Sequence, residues 1–233
     1  MKEFFKMNNI TDIFFDLDHT LWDFDANSVL AFDKIFNEHY PNINTKKFIE
    51  IYAPINQACW KLYQVDKITH QELRYNRLRQ SFEAMHYTIT DDEINRISHD
   101  YIEYLPDNNQ LFDGAIEILK YLQPKYNLHI ITNGFAEVQG KKISKSGLGT
   151  YFKTITNSEM AGVKKPHRNI FEFALSLADV KKENAIMIGD CIDADVRGAI
   201  DFGMQAILFD EKEIHSIDGI KTINHLLELK KIL

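Results

Sequence analysis

Short, nearly unbroken apolar runs alternate unevenly with longer stretches of helical spacing along this 233-residue chain. The runs are Ile10–Phe15, Leu128–Thr132, Phe152–Thr156, Ala185–Ile188 and Gln205–Phe209. Runs without polar alternation suit strands of a parallel sheet that is covered on both faces. Ala115, Ile116, Leu119 and Leu122 precede the second run at helical spacing, and Ile170, Phe171, Phe173, Ala174 and Leu177 precede the fourth. Strands alternating with helices predict right-handed βαβ units, hence an α/β fold with an open, Rossmann-like parallel sheet. Asn224–Leu233 is expected to be an amphipathic end helix.

The stretch after the first run breaks this rhythm. About 90 residues, Asp23 to Phe112, carry helical periodicity and no strand pattern. Ile51, Ile55, Ala58, Trp60 and Leu62 are expected on one helical segment, and Leu73, Leu78, Phe82 and Met85 on another. A βα connection needs only about 2–6 residues, so this stretch is expected to be an inserted all-helical subdomain, 23–112, within a core of 1–22 and 113–233. Pro41 and Pro106 punctuate it, and Pro54 is placed to kink a helix.

Composition narrows the class. A formal charge of −7 argues against a nucleic-acid polymer as partner, since such binding needs a basic face. No run approaches the ~18 apolar residues of a membrane span. The opening Met1 to Asn9 has no apolar leader pattern. Cys59 and Cys191 form no metal or disulfide framework, so a reduced, cytoplasmic setting is expected. A monomer or weak homo-oligomer is the expected state.

Chemistry gathers where strands end, the edge at which open α/β sheets bind ligands. The first run leads into Asp16-Leu17-Asp18-His19-Thr20, the second into Thr132-Asn133-Gly134, and the fourth into Gly189-Asp190. In extended backbone Asp16 and Asp18 point to one side, about 6.6 Å apart, so one is placed to attack a phosphorus while the other reaches the leaving oxygen. Asp16 and Asp190 on neighbouring strands, beside a phosphate, require a cation, and an oxygen-only donor set favours Mg2+. An EF-hand does not fit: a loop starting at Asp16 puts Leu21 at the glycine position, and one starting at Asp193 puts Arg197 at a ligand position. Thr132 with Asn133 and Gly134 offers a hydroxyl and backbone N–H groups at a helix start, a cradle for phosphate. Lys164-Lys165-Pro166 brings positive charge ahead of a further helix, with Pro166 suited to its first position.

These motifs, in this order over the whole chain, resemble the haloacid-dehalogenase-like (HAD) phosphohydrolase superfamily. The resemblance implies that Asp16 is the nucleophile and Asp18 the acid/base. It further implies that Thr132 and Lys165 bind the phosphoryl group and that Gly189-Asp190 through Asp195 forms the acidic motif. Asp16, the Asp18 backbone carbonyl and Asp190 are then the metal ligands, with Asp195 behind them and Asp193 a weaker candidate. Ile130 to Phe135, and Gly162 to Pro166 followed by Ile170-Phe171, resemble the pyrimidine 5′-nucleotidase subfamily, as does Asn56 to Trp60 in the cap. Hydrolysis of a small phosphomonoester, a pyrimidine nucleoside monophosphate, is the implied activity. Phosphoglycolate or sugar phosphates are the alternative substrates, and a phospho-aspartate module without turnover is the alternative class. Asn56 and Trp60 are candidate contacts to the leaving group, and Trp22, Phe24, Tyr52 and Tyr63 are either helical core or an aromatic surface for a base. Cys191 stands where relatives often carry Ser or Thr and is expected to be an unreactive packing residue, since carboxylates disfavour a thiolate.

Overall fold

The computed structural model describes residues 9–215 and 217–233. Residues 1–8 of the opening segment lie outside the described residues. Strand β1 (Asp12–Phe15) is followed by four helices, α1 (Phe24–His39), α2 (Thr45–Gln64), α3 (His70–Ala84) and α4 (Asp91–Tyr104). The chain then runs through α5 (Ala115–Leu122), β2 (Asn127–Thr132), α6 (Ala136–Lys145), β3 (Thr154–Asn157), α7 (Ser158–Ala161) and α8 (Arg168–Ala178). It ends with β4 (Ala185–Gly189), α9 (Gly198–Phe202), β5 (Gln205–Phe209) and β6 (Lys221–Ile223). Two compact units result: Met1–Asp23 with Leu111–Leu233, and Phe24–Gln110.

The first unit is a six-stranded sheet in the order β3-β2-β1-β4-β5-β6. Every pairing in it is parallel. This is the doubly wound order, in which the winding reverses beside β1 and a crevice opens outside the strand ends. Phe15, the last residue of β1, lies opposite both Ile130 and Ile188, so β2 runs on to Thr132 and β4 to Gly189 beside the segment that carries Asp16. On one face Phe14, Ile131 and Met187 pack against Ile170 and Phe171 of α8 and Ala199 of α9, all buried. The α/β class read from the sequence is therefore the observed one.

Three local expectations are corrected. A sixth strand, β6, extends the sheet where no strand was expected. The end of the chain is a 3-10 turn, Leu226–Lys231, instead of an α-helix. With three residues per turn, Leu226 and Leu229 fall on the same side, and both are buried. Helix α8 starts at Arg168 behind a His167 cap, so Pro166 precedes it by two residues.

The second unit is helical, and its helix starts are encoded locally. The Asn44 side chain caps α2, and Thr69/Glu72 and Thr90/Glu93 form reciprocal capping boxes on α3 and α4. Its interior is aromatic: Phe32 stacks on Tyr101 at 4.4 Å between centroids and meets Phe48 at 4.8 Å and Tyr52 at 4.9 Å. Helix α2 therefore buries Phe48, Tyr52, Cys59 and Tyr63. Ile51, Ile55, Ala58, Trp60 and Leu62, which marked this stretch as helical, do lie on α2, half-buried or exposed. Both faces carry apolar residues at helical spacing, and the aromatic one wins because each ring buries more area. Pro54 lies inside α2.

Candidate active site

The end of β1 delivers Asp16 beside β4, with the Asp16 N–H bonded to the Ile188 carbonyl at 2.9 Å. One carboxylate oxygen each from Asp16, Asp190 and Asp195 lies within 4.8 Å of the others. Lys165, which is buried, serves this trio. Its Nζ donates to Asp16 Oδ1 and to the Ile131 carbonyl, both at 2.6 Å, and pairs with Asp195 Oδ1 at 2.7 Å. Asn133 fixes the lysine's backbone: its Oδ1 accepts from the Lys165 N–H at 2.7 Å and its Nδ2 donates to the Lys165 carbonyl at 2.9 Å. The motif after β2 thus positions the lysine that steadies the residue after β1.

Asp195 reaches the trio through an unusual turn. Residues Ile192–Arg197 form a π-helical turn, a wider winding often found at functional sites. The turn carries Asp195 back over β4, where its Oδ2 accepts from the Cys191 N–H at 3.0 Å. Gly189 makes room, since a Cβ there would lie 2.3 Å from Asp195 Oδ2. Cys191 Sγ accepts from the Ala194 N–H at 3.4 Å, so the thiol caps the turn. Burial pushes that thiol up to about 12, and Asp195 and Asp190 push the same way, which keeps it an unreactive thiol.

Asp18 is held by different partners. Its Oδ1 accepts from Lys142 Nζ at 2.6 Å, and its Oδ2 from Gln139 Nε2 at 2.8 Å. The same Gln139 amide donates to Thr132 Oγ1 at 2.8 Å, and the Gly134 N–H donates to that hydroxyl at 3.1 Å. With its oxygen accepting twice, the Thr132 hydroxyl keeps its own proton to donate. Gly134 leaves space for this bridge, because a Cβ there would lie 1.9 Å from Gln139 Nε2. The carboxylate cluster therefore contains Asp195, while the Asp18 side chain turns toward α6.

Burial pushes Asp16 up to about 7; Lys165 opposes that shift and Asp195 reinforces it. Asp190 is raised well above the carboxylate range by burial, then by Asp195 and Asp16. Burial would lower Lys165, yet its two carboxylate neighbours outweigh it and the group stays an ammonium. Three carboxylates facing one ammonium leave a formal shortfall of two positive charges. The donor set thus fits one divalent cation, and oxygen-only donors match the preference of Mg2+.

Other expected residues fall elsewhere. Asp193 points outward to Arg197 at 2.8 Å. Asn56 is buried within the helical unit, where its Oδ1 accepts from Tyr52 at 3.3 Å and Arg77 at 3.2 Å. Trp60 is half-buried on α2 and meets Tyr63 edge-on at 5.6 Å. Trp22, Phe24, Tyr52 and Tyr63 are all buried. Gln139 and Lys142 were not anticipated. The available signal was their three-residue spacing on α6, which puts two polar groups on the face carrying Val138 and Ile143.

Comparison with known proteins bears on the same motifs. The sequence profile of the haloacid dehalogenase-like hydrolases matches residues 12–203, spanning both units. The chain belongs to that family. It is a phosphoric monoester hydrolase, with relatives named for such reactions. The pyrimidine 5′-nucleotidase PynA of Streptococcus pneumoniae is 31% identical over 88% of this chain and 85% of its own. A glyceraldehyde 3-phosphate phosphatase of Methanothermobacter thermautotrophicus is 27% identical over 95% of this chain and 98% of its own. Among solved structures, the HAD-hydrolase YfnB of Bacillus subtilis, bound to magnesium, superposes with a TM-score of 0.87 at 29% identity. That match covers 97% of this chain and 99% of YfnB. Among the described residues, no helix of this hydrolase is long and apolar enough to cross a membrane.

Proposed function

We propose that this hydrolase is a magnesium-dependent nucleoside 5′-monophosphate phosphatase with a preference for pyrimidine nucleotides. The observation that carries the chemistry is the carboxylate trio Asp16, Asp190 and Asp195, with Asp16 and Asp195 buried, and its ammonium, Lys165. The likeness to PynA over most of both chains carries the substrate class. Mg2+ would be held by Asp16, the Asp18 backbone carbonyl and Asp190, with Asp195 adjoining. When bound, it supplies Lewis-acid stabilisation of charge on the transferring phosphoryl group.

The residues divide the reaction between them. Lys165 pins Asp16 Oδ1 and leaves Oδ2 to attack phosphorus in line, forming an aspartyl phosphate as the ester P–O bond breaks. Asp18 gives its proton to the departing alcohol. It then takes a proton from the water that attacks the aspartyl phosphate, which releases phosphate and restores Asp16. The Thr132 hydroxyl and the Asn133 backbone N–H bind the phosphoryl oxygens as charge develops, and the Lys165 ammonium adds its positive charge beside Asp16.

The deciding experiment is phosphate release with Mg2+ and with chelator, comparing uridine, deoxyuridine and thymidine monophosphates with purine nucleotides, phosphoglycolate and glyceraldehyde 3-phosphate. Pyrimidine nucleotides should lead, and chelator should stop turnover. A second substrate reading, a sugar phosphate, is favoured by the glyceraldehyde 3-phosphate phosphatase likeness. A sugar phosphate hydrolysed about 100-fold faster than every nucleotide would establish it.

A further inference from the structure

Asp18 has to occupy one position in two successive steps, first as acid toward the leaving oxygen and then as base toward water. An exposed aspartate samples several rotamers, and a displacement of about 1 Å at a reacting group costs on the order of 100-fold in rate. In this structure both oxygens of the Asp18 carboxylate are taken from one helix, α6, by Lys142 at 2.6 Å and Gln139 at 2.8 Å. Both donors are buried, although a lysine and a glutamine in a helix ordinarily face water. Lys142 Nζ also sits 4.1 Å above the buried Trp22 ring, and Trp22 follows the same turn as Asp18.

We propose that Gln139 and Lys142 are positioning residues for the reaction: together they clamp the Asp18 carboxylate, and Gln139 couples it to the phosphoryl-binding hydroxyl of Thr132. This rests on the assignment of Asp18 as acid/base. Each Asp18 oxygen keeps a second lone pair beyond the clamp, so the carboxyl can carry and pass its proton while both bonds persist. Gln139 spans 2.8 Å to Asp18 and 2.8 Å to Thr132 with one nitrogen, so a shift of the phosphoryl-binding hydroxyl moves the acid/base with it. A merely structural ion pair would not need that second bond.

Two phosphate esters separate the steps. Nitrophenolate leaves p-nitrophenyl phosphate without a proton, so formation of the aspartyl phosphate does not depend on Asp18; its hydrolysis does. Lys142→Met should therefore give a burst of about one nitrophenolate per enzyme followed by a steady state about 100-fold slower than wild type. With uridine monophosphate both steps need Asp18, so kcat should fall by about the same factor with no burst of uridine and with KM changed less than about threefold. Lys142→Arg, which restores a cationic donor, should recover most of the rate. Gln139→Met should show the same burst, and it serves if Lys142→Met fails to fold by circular dichroism.

Wild-type kcat in both variants would overturn the proposal. So would an equal loss on both esters without a burst, the signature of misfolded protein. The reading of the site fails separately. If wild type releases no phosphate from p-nitrophenyl phosphate with Mg2+, the chemistry itself is misassigned. If only uridine monophosphate is refused, the substrate class is wrong, and the nitrophenyl arm still tests the clamp.

Discussion

Gly189→Ala tests whether the trio is built as tightly as its distances imply. Gly189 ends β4, and its backbone is not left-handed, so the requirement for glycine is one of space. A Cβ there would lie 2.3 Å from Asp195 Oδ2, 2.5 Å from its Cγ and 2.7 Å from its Cβ. Comfortable separation is about 3.5 Å, so Asp195 must retreat by about 1 Å. It cannot do so freely, because Lys165 Nζ holds Oδ1 at 2.7 Å and the Cys191 N–H holds Oδ2 at 3.0 Å. Overpacking of this kind costs about 1–3 kcal/mol, which lowers the unfolding midpoint of the core by roughly 2–10 °C.

The functional loss should be larger than the structural one. Disturbing a residue that adjoins metal ligands weakens metal binding by about 10–100-fold. Phosphate release measured against Mg2+ concentration should shift its half-saturation upward by that factor, and calorimetry should show the smaller thermal effect. Gly140→Ala is the matched control. Gly140 lies within α6 with nothing within 4 Å of the added carbon, so alanine should stabilise the helix by about 0.5–1 kcal/mol. Gly189→Ala with wild-type turnover and an unshifted Mg2+ requirement would refute the account of Asp195.

Three further outcomes follow from the same contacts. Asp16→Asn should fold normally and lose turnover by at least about 10³-fold in a phosphate-release assay; substantial activity would exclude Asp16 as nucleophile. Lys165→Met leaves Asp16 and Asp195 buried without their ammonium. It should destabilise the core by about 3–5 kcal/mol in urea unfolding, with Mg2+ recovering part of the loss. His129 is buried between Asp12, at 3.0 Å, and Thr154, at 2.8 Å, across β1, β2 and β3. Burial lowers its pKa below 6.5 despite Asp12, so the unfolded imidazole takes up a proton more readily than the folded one. The resulting stability is complete above about pH 6.5 and is lost as pH falls from there toward the folded value. Thermal midpoints from pH 8 to 5 should decline in wild type and decline less in His129→Gln.

Local chemistry made much of this molecule legible before any folding was considered. Unbroken apolar runs at Ile10–Phe15 and Ala185–Ile188 mark strands because a parallel sheet buried on both faces tolerates no polar alternation. Asp16, Thr132 and Asp190 stand out because each stands at or just beyond the end of such a run, the edge at which open α/β sheets bind ligands. Other features needed the assembled fold. Strand β6 has three residues and one partner, so pairing with β5 defines it more than its own sequence does. The buried face of α2 was ambiguous until Phe32, Phe36 and Phe82 supplied an aromatic surface to pack on.

The same limit governs the site. A lysine and a glutamine three apart on a helix read as a solvated face, and nothing local says that Asp18, more than 120 residues earlier, lies against them. Likewise Asp195 joins Asp16 and Asp190 only because a π-helical turn and a side-chain-free Gly189 let it fold back over the strand. Sequence determined which groups have the chemistry, since acidity, hydrogen bonding and backbone preference belong to each residue. Tertiary structure decided which carboxylate serves which neighbour, since Coulomb and hydrogen-bond partners are set by distance in space and not by separation along the chain.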